Sequence, residues 1–284
     1  MKKIHLVFIL FASLQCFGSR TVTDELGRPV TVPDHPHRLV CLIPSVVDDV
    51  YALGAGADVI AVSDYTKYPA EAKSKPSIGL PLSPSLETIV SLHPDLVLGS
   101  AETNHIQIVQ QLQHYGIPVF IVDPHGIAGI YKSIRSLGMV LNRGPAANDL
   151  IARLHARENA VRARALGKPV VRVFMPIWYD PVITIGKHAF ITELIAVAGG
   201  ESVTDDIAQE WPQVSLEAVI ARAPEAILLV KSSKMSIKDL STRPGWCDLA
   251  AIKQGHVDYV DDRIDFPSPV AFDAMEEMSK EFHP

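Results

Sequence analysis

Cysteine is scarce in this chain of 284 residues, which has three thiols in all and no Cys-x-x-Cys pair. Clustered lysine and arginine are also missing, and the formal net charge is −6. An acidic surface without a basic patch excludes nucleic acid as a partner. No Gly-rich phosphate loop opens either half, and no G-x-S-x-G elbow or H-E-x-x-H pair occurs. These gaps remove the commonest nucleotide-binding, hydrolytic and metalloprotease readings. The 11 histidines are scattered, and only His105, His125 and His188 stand near expected strand ends. A directly held zinc or manganese needs three or four converging ligands, so neither a metal site nor a cofactor is expected.

Long apolar runs are lacking too. The one apolar stretch, Ile4 to Phe17 after Met1-Lys2-Lys3, falls short of the ~20 residues that span a bilayer. A basic start and a short apolar core describe a secretory signal peptide, residues 1–19, cleaved near Gly18 or Ser19. Gln15 and Ser13 suit a lipoprotein signal at Cys16 badly, so a free periplasmic protein is expected. Without Lys2 and Lys3, 24 basic and 32 acidic side chains remain, a net charge of −8. Cys41 and Cys247 then stand in different halves and are expected to be free, mostly buried thiols.

What the chain does have is a phrase used twice. Ser85-Leu86-Glu87 runs on to Pro94-Asp95-Leu96-Val97-Leu98, and Ser215-Leu216-Glu217 runs on to Pro224-Glu225-Ala226-Ile227-Leu228, 130 positions later. Each copy reads as a short helix, a proline-marked turn and a buried strand. A repeat at this distance implies two similar lobes, each presenting a glutamate at the same place.

Strands and helices alternate around the phrase. Thr21 to Pro33 reads as a hairpin with Gly27-Arg28 at its turn, and Arg38–Ile43 as an apolar strand followed by a helix capped at Ser45. The pattern predicts two Rossmann-like α/β lobes with mainly parallel sheets, covering 20–142 and 168–284. Between them, 143–167 carries Leu150, Ile151, Leu154 and Val161 at helical spacing, with Pro145 in its first turn. One helix of that length spans about 30 Å and joins the lobes, which favours small relative movements over a wide hinge.

Open α/β sheets bind ligands beyond the carboxyl ends of their strands. Aromatic residues stand at such places: Tyr65 and Tyr68 after one strand, Trp178 and Tyr179 after another, Trp211 before the second phrase, and Phe266 near the end. Flat rings bury much ligand area at little entropic cost.

The phrases Val62-Ser63-Asp64-Tyr65, Pro84-Ser85-Leu86-Glu87 and Trp211-Pro212-Gln213-Val214-Ser215-Leu216-Glu217 carry a resemblance. The chain resembles the substrate-binding proteins of ABC importers for cobalamin, ferric siderophores and haem, over nearly all of its length from Val22 onward. The Trp-Pro-Gln-Val-Ser run and the Tyr65 segment are most similar to the cobalamin-binding members. The resemblance implies a helical-backbone binding-protein fold, a non-enzymatic monomer, and delivery of cargo to a permease dimer. It implies that Glu87 and Glu217 dock into arginine pockets of the two permease subunits. It also implies that Tyr65 and Trp211 face a corrinoid, helped by Trp178, Tyr179 and Asp262. Where cobalamin-binding members carry further aromatics, this chain has Pro81, Ser100 and Ile183. A siderophore or haem receptor is the alternative within the class, with Arg243 and Arg263 as candidates for an anionic cargo. An exported α/β enzyme is the alternative outside it.

Overall fold

The computed structural model describes residues 18–103, 106–233 and 235–284. Most of the leader, with Cys16, and His105 lie outside the described residues. An antiparallel hairpin comes first, β1 (Ser19–Thr23) with β2 (Pro29–Pro33), turning through Gly27 as the sequence predicts. The first lobe continues with β3 (Leu39–Cys41), α1 (Pro44–Ala52), β4 (Val59–Val62), and a small hairpin of β5 (Gly79–Leu80) and β6 (Ser83–Pro84). It ends with α2 (Leu86–Ser91), β7 (Leu96–Ser100), α3 (Ile106–His114), β8 (Val119–Val122) and α4 (Gly126–Val140). The long helix α5 (Gly144–Ala165) follows.

The second lobe opens with β9 (Val171–Phe174) and a hairpin of β10 (Pro176–Tyr179) and β11 (Val182–Thr184). Then come α6 (Phe190–Val197), β12 (Gly200–Ser202), α7 (Leu216–Ala221) and β13 (Ala226–Val230). The chain closes with α8 (Ile237–Thr242), α9 (Ala250–Gln254), β14 (Val257–Val260) and α10 (Ala271–Phe282).

The two main sheets, ordered β4-β3-β7-β8 and β12-β9-β13-β14, are parallel throughout. In each, the first strand lies beside the second, and the third and fourth extend the other side, so the lobes share one topology. The sequence repeat sits at the same point in both. The hydroxyls of Ser85 and Ser215 accept from the N–H groups of Thr88 and Ala218, each at 3.2 Å, capping α2 and α7. Ile89 and Val219 are the buried anchors of those helices. Both helices leave through a left-handed residue, His93 at φ 48° and Ala223 at φ 47°. Asp95 then accepts from the N–H groups of His37 and Arg38, and Glu225 accepts from that of Arg172. The acids at the end of the phrase therefore tie the start of the neighbouring strand, an equivalence the sequence pattern alone did not reveal.

Three apolar regions hold the molecule together. Val40, Leu42, Val97 and Val119 turn one face of the first sheet toward α2 and α3. Phe174, Ile227, Leu229 and Val257 turn one face of the second sheet toward Trp246 and Leu240. The opposite faces join a single core that runs through both lobes, from Leu39, Cys41 and Phe120 through Leu150 and Leu154 of α5 to Val173, Phe272 and Met275. Helices α1, α4, α5, α6 and α10 form this shared layer. Arg157 on the wet side of α5 adds a 2.7 Å bond to Glu276 and an ion pair with Asp273, both on α10. The lobes are thus joined by a common interior as well as by one helix.

Two local expectations need correction, and one strand was not foreseen. Ser45 is not a cap: α1 starts at Pro44, whose fixed φ and missing N–H suit a first turn, with Ile43 before it and no side-chain cap. Trp178 and Tyr179 stand on strand β10 rather than a loop. Strand β12 had no signal, because Gly-Glu-Ser has weak strand preference. Cys41 and Cys247 are both free, and burial pushes the Cys41 thiol up to about 12. Trp246, 2% exposed and 6.0 Å from the Phe174 ring, is the largest side chain of the outer core in the second lobe. Trp246→Ala should cost about 3–5 kcal/mol, read as a lowered urea midpoint.

Candidate functional site

The carboxyl ends of both parallel sheets meet around a cavity of about 450 Å³. Glu102, Asp123 and His125 reach it from the first lobe, and His188, Glu210, Trp211 and Asp265 from the second. Strand ends β7 and β8 deliver the first set, and the loops after β11, β12 and β14 deliver the second. The Glu210–Trp211 loop is laced to the β10–β11 hairpin. Thr184 N–H donates to Pro212 O at 3.1 Å, Gly186 N–H to Glu210 O at 2.9 Å, and Val214 N–H to Val182 O at 3.0 Å. A Cβ on Gly186 would stand 2.0 Å from the Gln209 carbonyl oxygen, so only glycine allows this approach.

Around the cavity the two lobes touch through polar contacts. Lys67 Nζ pairs with Asp262 Oδ2, Tyr68 OH donates to Asp261 at 3.3 Å, and the rings of Tyr68 and Phe266 meet edge to face at 6.3 Å. Deeper in, Asp48 accepts from Val270 N–H at 3.2 Å and Glu193 from Ile127 N–H at 2.8 Å. Burial raises the Asp48 carboxyl, and it raises the Asp49 carboxyl well above the ordinary range, with Asp48, Glu25 and Glu102 nearby adding to it.

The expected aromatic residues fall into distinct settings. Tyr65 is 69% exposed and sits at φ 66°, a left-handed backbone that costs a bulky residue about 1–3 kcal/mol. Asp64 N–H donating to Gly79 O and Thr66 Oγ1 donating to Ser63 O hold that strained turn. Trp211, 45% exposed, lines the cavity itself. Trp178, 41% exposed, donates its indole N–H to Asp180 O and stacks on Tyr179 at 5.3 Å. Tyr179 is occupied on its own account, with the Arg243 guanidinium 4.1 Å over its ring. Asp262 also has both oxygens taken, one by Lys67 and one by the Ser232 N–H at 2.8 Å. Tyr65, Trp178, Tyr179 and Asp262 stand outside the cavity wall, whereas Trp211 is part of it.

Glu87 and Glu217 are exposed at the starts of the two matched helices, and neither has an ion-pair partner among the described residues. The N–H groups at the start of α7, with Ser215, hold the Glu217 carboxyl below the usual range.

The cavity acids were not singled out from the sequence, although Asp123 directly follows a strand and Glu102 stands two residues past one. That position after a strand was the available signal. Solvent reaches Glu102, yet protein crowding it in the cleft raises its carboxyl to about 7, with Glu210 and Asp123 pushing the same way and Ser100 easing it. Crowding likewise raises Asp265 to about 6, with Asp262 adding and Lys67 opposing. Among the described residues, no group of three or more His, Cys, Asp or Glu side chains could hold a metal ion. No helix among them is long and apolar enough to cross a membrane.

A family model for periplasmic binding proteins matches residues 39–264. The chain belongs to the periplasmic binding protein family. One relative is the vitamin B12-binding protein of Vibrio parahaemolyticus serotype O3:K6, 30% identical over 99% of this chain and 97% of its own. Another is the uncharacterized ABC transporter substrate-binding lipoprotein YvrC of Bacillus subtilis (strain 168), 29% identical over 93% of this chain and 85% of its own. Among solved structures, the periplasmic heme-binding protein RhuT of Roseiflexus sp. RS-1 aligns with a TM-score of 0.80 at 26% identity, covering 87% of this chain and 98% of that one. Members of this family are substrate-binding proteins of transport systems.

The raised cavity acids give a signed prediction for the binding protein. Glu102 binds its proton more tightly folded than unfolded. Its stabilising share is therefore kept at low pH and lost as pH rises from the ordinary carboxylate range through about 7. Glu102→Gln should raise the melting temperature at about pH 8 and leave it unchanged at about pH 4, as thermal denaturation would show.

Proposed function

We propose that this protein is the periplasmic substrate-binding component of an ABC importer, capturing a corrinoid between its lobes and passing it to a permease dimer. The observation that carries this reading is the matched pair of exposed glutamates. Glu87 and Glu217 project from two helices with the same cap, the same buried anchor and the same exit, in lobes of identical topology. A pseudo-twofold surface suits a twofold partner, and carboxylates offered to arginines give orientation and specificity. A helix-start role alone would leave these groups without a partner in transport.

The cleft supports the cargo half of the reading. Trp211 in the wall, with Tyr65 and Trp178 exposed on either lobe, offers flat surfaces to a broad ligand. Tyr179 backs Trp178, and Asp262 with Lys67 bridges the lobes at the cleft's edge. A relative 30% identical over nearly the whole chain is named for vitamin B12. The haem reading draws on the structural likeness to RhuT at 26% identity. Anionic cargo calls for free cleft arginines, whereas Arg243 lies over Tyr179 and Arg263 is bound to Asp261 and Asp273. We propose a monomer exported by its signal peptide, with the metal carried by the cargo rather than the protein.

Titration with cyanocobalamin, followed by tryptophan quenching, tests the cargo; no binding at tens of micromolar removes the corrinoid. Trp211→Ala should weaken capture by about 30-fold, the scale of losing a central aromatic contact. Glu87→Ala with Glu217→Ala should leave the dissociation constant unchanged and abolish uptake through the permease in reconstituted vesicles. Normal uptake by that double variant would return both glutamates to a purely structural role, and turnover of any bound ligand would point to an enzyme instead.

A further inference from the structure

The charges in the cavity bear on what chemistry the cargo presents, an inference that rests on the receptor reading above. Four carboxylates line the wall, Glu102 and Asp123 from one lobe and Glu210 and Asp265 from the other, and no lysine or arginine is among the described lining residues. Several cationic side chains of the surrounding loops are engaged elsewhere, although Lys187 beside His188 is exposed. Lys67 pairs with Asp262, Lys231 with Glu277, and Arg263 with Asp261 and Asp273, while Arg243 covers Tyr179. His125 is held 3.0 Å from Asp123, and among the described residues His188 is the other basic group on the wall.

Like charges oppose each other across the cavity. Glu210 destabilises the ionised form of Glu102 from the opposite lobe, and Asp123 does so from the same one. Beside Glu102, the Ser45 hydroxyl is 3% exposed and has no hydrogen bond of normal geometry, although it lies near enough to ease that charge. Buried polar groups usually find partners, and an opposed set of carboxylates is relieved by donors or positive charge. The aromatic faces accept any broad, flat ligand and favour positive charge only modestly. Discrimination therefore falls mainly to the carboxylates.

We propose that the cavity selects its cargo by charge, accepting inward-facing amides, amines or other neutral and cationic donors and rejecting chelates that present carboxylates there. An anionic group brought beside these acids meets like charge in a partly desolvated site, which supplies repulsion against the wrong ligand.

Two measurements test this, one of them independent of the cargo. In a Trp178→Phe variant, Trp211 is the exposed tryptophan reporter, since Trp246 is buried. With each ion's quenching scaled to its effect on free tryptophan, caesium should quench it several-fold more effectively than iodide, and adding Glu102→Gln with Asp265→Asn should bring the two scaled values close to parity. Equal quenching before those changes would overturn the proposal. The second measurement compares cyanocobalamin with its monocarboxylate, one amide hydrolysed, and haemin with a tetracationic N-methylpyridyl metalloporphyrin. The anionic member of each pair should bind at least ~10-fold more weakly, and the Glu102→Gln, Asp265→Asn protein should narrow the gap. Haemin binding as tightly as the cationic porphyrin would also overturn it. Failure of both corrinoids, with the caesium preference and the porphyrin order intact, would sink the corrinoid reading and leave charge selection standing.

Discussion

The apolar layer shared by both lobes is the constraint from which the rest follows. Leu39, Cys41 and Phe120 from the first sheet and Val173 and Leu228 from the second are buried in one continuous core, with α5 running through it. Each sheet needs cover on both faces, because parallel strands are apolar on both sides. The inner faces obtain it from a common set of helices, and the outer faces from separate ones. The cleft therefore opens only beyond the strand ends, above a floor that is fully packed. A close-packed interior deforms little, so the common core resists wide separation of the lobes.

That floor also explains where polar groups gather. Helix α1 brings Asp48 and Asp49 under the cleft, and burial raises both carboxyls. Above them the strand ends deliver Glu102 and Asp123, and the opposite lobe delivers Glu210 and Asp265. The contacts that bridge the lobes, Lys67 with Asp262 and Tyr68 with Asp261, lie around this acidic space. The strained turn at Tyr65 immediately precedes those two bridging residues. An exposed ring in a costly backbone conformation, held by bonds on both sides, is a feature that packing alone does not call for.

Much of the architecture was readable because it is written locally. Ser85 and Ser215 cap helices through bonds to residues three positions on, and the proline turns and buried strands follow at fixed spacing. Misreadings arose where a neighbour outranked the local signal. Pro44 took the helix start from Ser45, and the hairpin that carries Trp178 depends on pairing with Val182 and Ile183. Strand β12 forms because β9 offers it a partner, despite a sequence with little strand preference.

By itself the sequence determined the two alternating α/β halves, the helix between them, and the equivalence of Glu87 and Glu217. Hydrophobic period, caps and turns act over a few residues, so they survive in a linear reading. Only the tertiary structure decided which side chains are free to meet a ligand. Asp262 is answered by Lys67, 195 positions away, and Tyr179 by Arg243, while Trp211 is left open beside Glu102 from the other lobe. Electrostatic and stacking partners are chosen by proximity in space, and the folding of the two sheets around a common core creates that proximity.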